Sequence, residues 1–89
     1  MPYIVQALRK AIENGEKVPL SSSLLNYQIT KLCREYIGVR GLSYGTISDV
    51  TGVLENVKLE FYRRVVTPYE DMKIADNGDV YDIENIKAI

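Results

Sequence analysis

The sequence has no histidine, no tryptophan, a single cysteine and three prolines in 89 residues. Each shortage closes off some chemistry. Serine and cysteine hydrolases mostly rely on a histidine base, and none is present. Cys33 alone can neither close an internal disulfide nor supply the four Cys or His ligands of a structural zinc site. Nothing therefore argues for an oxidising compartment. No apolar run approaches the roughly 18 residues that a membrane-spanning helix needs. The start, MPYIVQALRK, lacks the basic opening and apolar stretch of a secretory signal. The expectation is a cytoplasmic protein with no membrane contact, no metal and no cofactor.

What is present suits one soluble domain. A hydrophobic fraction of 46% is enough for a small core, and 26% charged residues is ordinary for a globular chain. The net charge of −1 gives no general attraction to nucleic acid. The charge is unevenly placed. Residues 1–66 carry nine Lys/Arg against six Asp/Glu, whereas 67–89 carry two against six. An acidic C-terminal segment thus follows a mildly basic body, either as a solvated tail or as a segment that docks on a basic surface. Seven of the eight aromatic residues are tyrosine. An apolar ring with a polar tip suits contact surfaces.

Apolar spacing predicts an all-α fold of three main helices and a short fourth. The first spans 1–14, with Pro2 in its opening turn, Ile4, Val5, Leu8, Ala11 and Ile12 at helical spacing, and Asn14-Gly15 as the stop. The second spans 23–37, capped by Ser21, Ser22 or Ser23 and ended by Gly38 and Gly41. Its stripe is Leu25, Ile29, Leu32 and Tyr36. The third spans 46–66, with Thr46 and Asp49 as a capping signal and Ile47, Val50, Leu54, Val57, Phe61 and Val65 as its stripe. Thr67-Pro68-Tyr69-Glu70 reads as cap, first-turn proline and capping acid, so a fourth helix is expected at 68–76, stopped by Asn77-Gly78. The competing reading of 72–83 is a hairpin turning at Asn77-Gly78, and Val80 to Ile83 reads as extended. The acidic segment 77–89 closes a single domain.

Several residues break these patterns. On a wheel of the third helix, Ser48, Gly52, Glu55, Leu59, Tyr62 and Val66 form a second stripe away from the first. Gly52 in mid-helix costs roughly 1 kcal/mol against alanine, a cost that close approach of another backbone would offset. Gly52, Leu59, Tyr62 and Val66 are accordingly candidates for an oligomer interface, a two-fold dimer being favoured; covering of this face by another helix of the same chain is the alternative. Lys58 and Arg64 flank the main stripe, as snorkelling side chains or as partners of an anion, and Glu60 stands four residues before Arg64. Tyr27, Lys31 and Arg34 share one face of the second helix, a set able to stack on a base and neutralise phosphate. Asn26 and Thr30 sit at the stripe's edge and are expected to bond a neighbouring helix end. The Glu70–Asp71 pair and the Asp76-Asn77-Gly78-Asp79 loop are better explained as a helix start and a turn than as an acid–base pair or a calcium loop.

Leu25-Asn26-Tyr27-Gln28-Ile29-Thr30, the Tyr44/Thr46 turn, Lys58 to Val66 (KLEFYRRVV), Pro68-Tyr69-Glu70-Asp71 and Asn77 to Tyr81 (NGDVY) resemble a family of short bacteriophage and prophage proteins, a domain of unknown function. The resemblance covers roughly 24–81. It implies a phage or prophage origin and offers no catalytic residues. Its motifs include Lys58, Tyr62, Arg63, Arg64 and Tyr69, which join Tyr27, Lys31 and Arg34 as candidates for contact with a ligand or partner. The function expected is therefore non-enzymatic binding by a phage accessory protein. It would contact a host or phage protein, or sequester a small anionic nucleotide in a counter-defence role. The alternative is a nucleic-acid-binding regulator, for which Arg9, Lys10, Lys31, Arg34 and Arg40 are the available cations and against which the net charge stands.

Overall fold

The computed structural model describes residues 2–81. Its elements are α1 (Gln6–Glu13), α2 (Ser22–Arg40), α3 (Tyr44–Phe61), a π-helical turn (Tyr62–Val66) and α4 (Thr67–Asn77). The fold is all-α, with no strand among the described residues. The hairpin reading of 72–83 is thereby overturned as far as it can be followed, because helix continues to Asn77. Residues 82–89, with most of the acidic segment and the end of the extended stretch, lie outside the described residues. The chain divides into two units, Met1–Val57 and Lys58–Ile89.

In the first unit α1 is shorter than its apolar spacing suggests. It begins at Gln6 after Val5, which is extended and offers no side-chain cap, so Pro2 precedes the helix instead of opening it. The loop that follows is tied back by Gln28, whose Nε2 donates to the Lys17 carbonyl at 3.2 Å. Ser21 caps α2, its Oγ accepting from the Leu24 N–H at 3.2 Å. Helix α2 runs three residues beyond the expected end. Gly38 lies inside it, and the stop is Gly41, at φ 89° and ψ 154°. That backbone region is essentially open to glycine alone. A Cβ at Gly41 would meet nothing within 4 Å, so backbone conformation is the whole of the requirement.

The turn between α2 and α3 is held by one hydroxyl. Thr46 is the one buried residue of the described chain, at 8% exposure. Its Oγ1 donates to the Gly41 carbonyl at 2.7 Å and accepts from the Ser43 N–H at 2.9 Å. Ser43 Oγ in turn accepts from the Thr46 N–H at 3.1 Å. This is a reciprocal capping box with Ser43, not Thr46, at the cap position. Helix α3 therefore starts at Tyr44, two residues earlier than its sequence pattern suggests. Asp49 is left free of capping duty and serves elsewhere.

The second unit corrects the reading of Pro68. Helix is unbroken from Tyr44 to Asn77, so α4 is a continuation of α3 and not a separate fourth helix. Thr67 has ordinary helical angles and makes no side-chain cap. A proline within a helix removes one backbone bond and its ring collides with the carbonyl four residues back, at a cost of about 3 kcal/mol. Here the ladder skips a residue first, the Thr67 N–H donating to the Tyr62 carbonyl. That i to i−5 bond widens the turn ahead of the ring. It also changes the phase. Over five π residues the chain turns by roughly 80° per residue instead of about 100°. Val66 is carried off the face of Leu59, while Phe61, Val65 and Tyr69, already together at four-residue spacing, stay on one face. The second stripe read from a regular wheel thus stops at Leu59. Gly78, at φ 86°, ends α4 as the sequence suggests.

Two variants probe the threonine turn and the proline. Thr46→Val keeps the shape but leaves the Gly41 carbonyl and Ser43 N–H without the hydroxyl, and lowers stability by about 2 kcal/mol in urea unfolding. Pro68→Ala supplies the missing N–H and lets the turn close to α. A protected amide appears at residue 68, and stability rises by up to about 3 kcal/mol. A π turn that persists in Pro68→Ala shows that something other than the proline holds it open.

Candidate functional site

The tyrosine–cation face of α2 does not build a cleft. Tyr27, Lys31 and Arg34 stand on exposed turns of one helix. Lys31 Nζ is 3.7 Å from Glu35 Oε1, a pairing along its own helix. Lys31 also borders a shallow depression between the 15–19 loop and α2, which Tyr27 and Arg34 do not line. Asn26 and Thr30 bond each other at 3.4 Å and reach no neighbouring helix end.

The remaining candidates lie in the second unit. Arg63 Nη2 is 3.1 Å from Glu60 Oε2, so the arginine that engages this carboxylate is Arg63, where the sequence suggested Arg64. Lys73 sits over the Tyr69 ring, 5.4 Å from its centroid. Tyr62, Arg63 and Arg64 belong to the π turn itself, and Lys58 lies in the last turn of α3. Leu59 stands 55% exposed. At Gly52, in the first unit, a Cβ would meet nothing within 4 Å, so no backbone among the described residues packs closely against it.

A cavity of about 340 Å³ lies instead in the first unit, lined by Leu32, Cys33 and Tyr36 of α2 and by Asp49, Val50 and Val53 of α3. None of the candidate contact residues lines it. Its walls are apolar except at one end, where the Tyr36 hydroxyl donates to Asp49 Oδ2 at 2.9 Å. The Arg40 guanidinium lies 5.5 Å from the centroid of the Tyr36 ring. The bond to Asp49 is the main reason the Tyr36 phenol is held above its usual range; slight desolvation and the Asp49 charge add to it, and Arg40 opposes it. A phenol moved upward is no base near neutral pH. Cys33 is a free, half-buried thiol in the wall. Among the described residues no group of three His, Cys, Asp or Glu is placed to hold a metal ion. No described helix is long and apolar enough to cross a membrane.

The groove could have been found from the sequence by one signal. Tyr36 ends an apolar stripe, and a tyrosine there needs a partner for its hydroxyl. Asp49 was hidden as that partner because it sits where a capping acid is expected. In chemical terms the groove accepts apolar side chains and offers a single polar pair at its rim. Comparison with known families gives a match over residues 1–80 to one described as Domain of unknown function (DUF6899). No curated protein and no solved structure matches the chain.

The Tyr36–Asp49 bond makes a spectroscopic prediction. A raised folded-state phenol favours the fold below the unfolded tyrosine range, near 10, and that contribution disappears as pH climbs through the folded value. In an ultraviolet titration one tyrosine ionises after the others, and Tyr36→Phe removes that last step. A wild-type curve in which all tyrosines ionise together contradicts the bond.

Proposed function

The chain belongs to the DUF6899 family, and we propose that it works as a non-enzymatic binding protein whose fold is completed by contact with another polypeptide. The observation that carries this is burial. Among the described residues of either unit, not one apolar side chain is buried. The stripe of α2 is open, with Leu32 60% exposed, and in the second unit Phe61 is 59% exposed. Removal of apolar surface from water is the dominant force for folding. Helices draw most of their stability from a covered face, and isolated ones shorter than about 12–15 residues are marginal in water. An array of open stripes is a surface made for covering.

The chemistry of that surface favours a polypeptide over a small anionic nucleotide. Leucine, valine, tyrosine and isoleucine predominate, and two of the expected cations, Lys31 and Arg63, lie against neighbouring carboxylates of the same chain. Exposed pairs of this kind contribute about 0.2–1 kcal/mol, so they orient the side chains without fixing them. A phage or prophage setting and action in the host cytoplasm belong to the same reading; they rest on the likeness of LNYQIT, KLEFYRRVV and NGDVY to the phage family.

Mass action supplies the test. The chain is melted by circular dichroism over about a hundredfold range of concentration. The expected result is incomplete helicity when dilute, and a midpoint that rises with the concentration of whatever covers the stripes. A steep transition with full helicity at every dilution, independent of concentration, would describe a self-sufficient monomer and defeat the reading.

A further inference from the structure

We propose that α1 is a strap that closes on its own chain, laying Leu8 and Ile12 into the α2–α3 groove. The closure concerns the first unit alone and does not rest on the binding role above. It adds one element to that role, since a partner of this groove has to displace α1.

The first observation is the state of α1 itself. Leu8, Ala11 and Ile12 share one side of its eight residues, and Gln6, Arg9, Lys10 and Glu13 take the other. No residue of α1 is buried, and Leu8 and Ile12 stand 57% and 53% exposed. Two turns of helix hold poorly in water without a covered face. The helix needs a seat.

The second observation is where α1 ends. Glu13, its last residue, borders the shallow depression beside α2, and so does Leu32. Leu32 also lines the α2–α3 groove, so one side chain is the wall common to both hollows. The loop is anchored at this place, because Gln28 Nε2 holds the Lys17 carbonyl. Only residues 14–16 lie between that anchor and α1. A tether this short gives a local concentration on the order of millimolar, which a separate molecule has to match from solution.

The third observation is fit. Leu8 and Ile12 lie four residues apart, a rise of about 6 Å, and Leu32 and Tyr36 mark the same rise along the groove. The groove, about 340 Å³, has apolar walls for the two side chains. Its one charged lining residue is Asp49, and α1 brings the opposite charges of Arg9 and Lys10. With α1 seated, three helices enclose Leu32, Val50 and Val53.

Methyl nuclear Overhauser spectra of the unaltered full chain test the closure. Cross-peaks from Leu8 and Ile12 to Leu32 and Val53 are expected. In a mixture of labelled and unlabelled chains they are expected to vanish when only contacts between chains are selected. A second measurement uses the native thiol. Ile12→Cys oxidises onto Cys33 about tenfold faster than Lys10→Cys, on the polar side of α1, and the product is monomeric at every dilution. Equal rates overturn the proposal, as do cross-peaks that are absent or arise only between chains. The spectra are read on the unaltered chain, so they decide the matter where a variant fails to fold. Absent cross-peaks with a concentration-dependent melting midpoint overturn the strap and leave the binding role standing. Cross-peaks within one chain, with a steep transition independent of concentration, support the strap and defeat the binding role.

Discussion

A single hydroxyl organises the turn on which the first unit is built. Thr46 Oγ1 takes the Ser43 N–H and gives its proton to the Gly41 carbonyl, joining the end of α2 to the start of α3. Both helix ends leave backbone groups without partners inside the helix, and here one side chain answers for groups on each side of a three-residue link. Gly41 is part of the same device, since only its φ of 89° stops α2 where its carbonyl meets Thr46. Once the turn is set, Tyr36 and Asp49 face each other and the groove between the helices exists. That Thr46 alone is buried among the described residues follows from this. The turn is fixed by polar contacts of short sequence separation and needs no core to hold it.

The consequence is a division of labour between local and distant forces. Caps, glycine stops and i,i+4 contacts, such as Lys31–Glu35 and Arg40 over Tyr36, determine where each helix starts, stops and turns. They contribute tenths of a kcal/mol to about one each. What they do not supply is removal of the apolar stripes from water, which is the stronger driving force. Those stripes were as plain in the sequence as in the structure. Leu25, Ile29, Leu32 and Tyr36 do lie on one helix. A stripe's spacing says that it wants a cover and is silent about whose cover it is, which is why the sequence alone left Leu59 divided between another helix of its own chain and a second copy.

Where the sequence misled, a sound local signal was outranked by its neighbour. Ser21 and Gly78 were legible because nothing competes with them. Gly38 looked like a stop, but it has helical neighbours on both sides and the next glycine provides the left-handed turn. Thr46 and Asp49 looked like a cap and its acid, whereas Ser43 lies three residues before Thr46 and forms the box one step earlier. Of the groove only one half was legible, Tyr36 at the end of a stripe, because Asp49 is brought to it by the geometry of Gly41 to Thr46 and not by any spacing.

Pro68 is the sharpest of these cases, because the same four residues support opposite readings. Thr67-Pro68-Tyr69-Glu70 is a good helix start if the chain arrives from a loop. It is a lesion if the chain arrives as helix, and the outcome depends on the turn before it. An α turn there would drive a carbonyl into the ring; a π turn moves the collision away and already has its own bond, from Thr67 to Tyr62. The ordinary advantage of α over π is the bond and packing of the next residue, and a proline at that place has no N–H with which to claim it. The π turn is therefore the cheaper path through this sequence, and the phase change it brings is built in. Phe61, Val65 and Tyr69, at four-residue spacing, would share one side of a regular helix as well; what the skipped residue changes is their phase against the residues before it, so Val66 no longer follows Leu59.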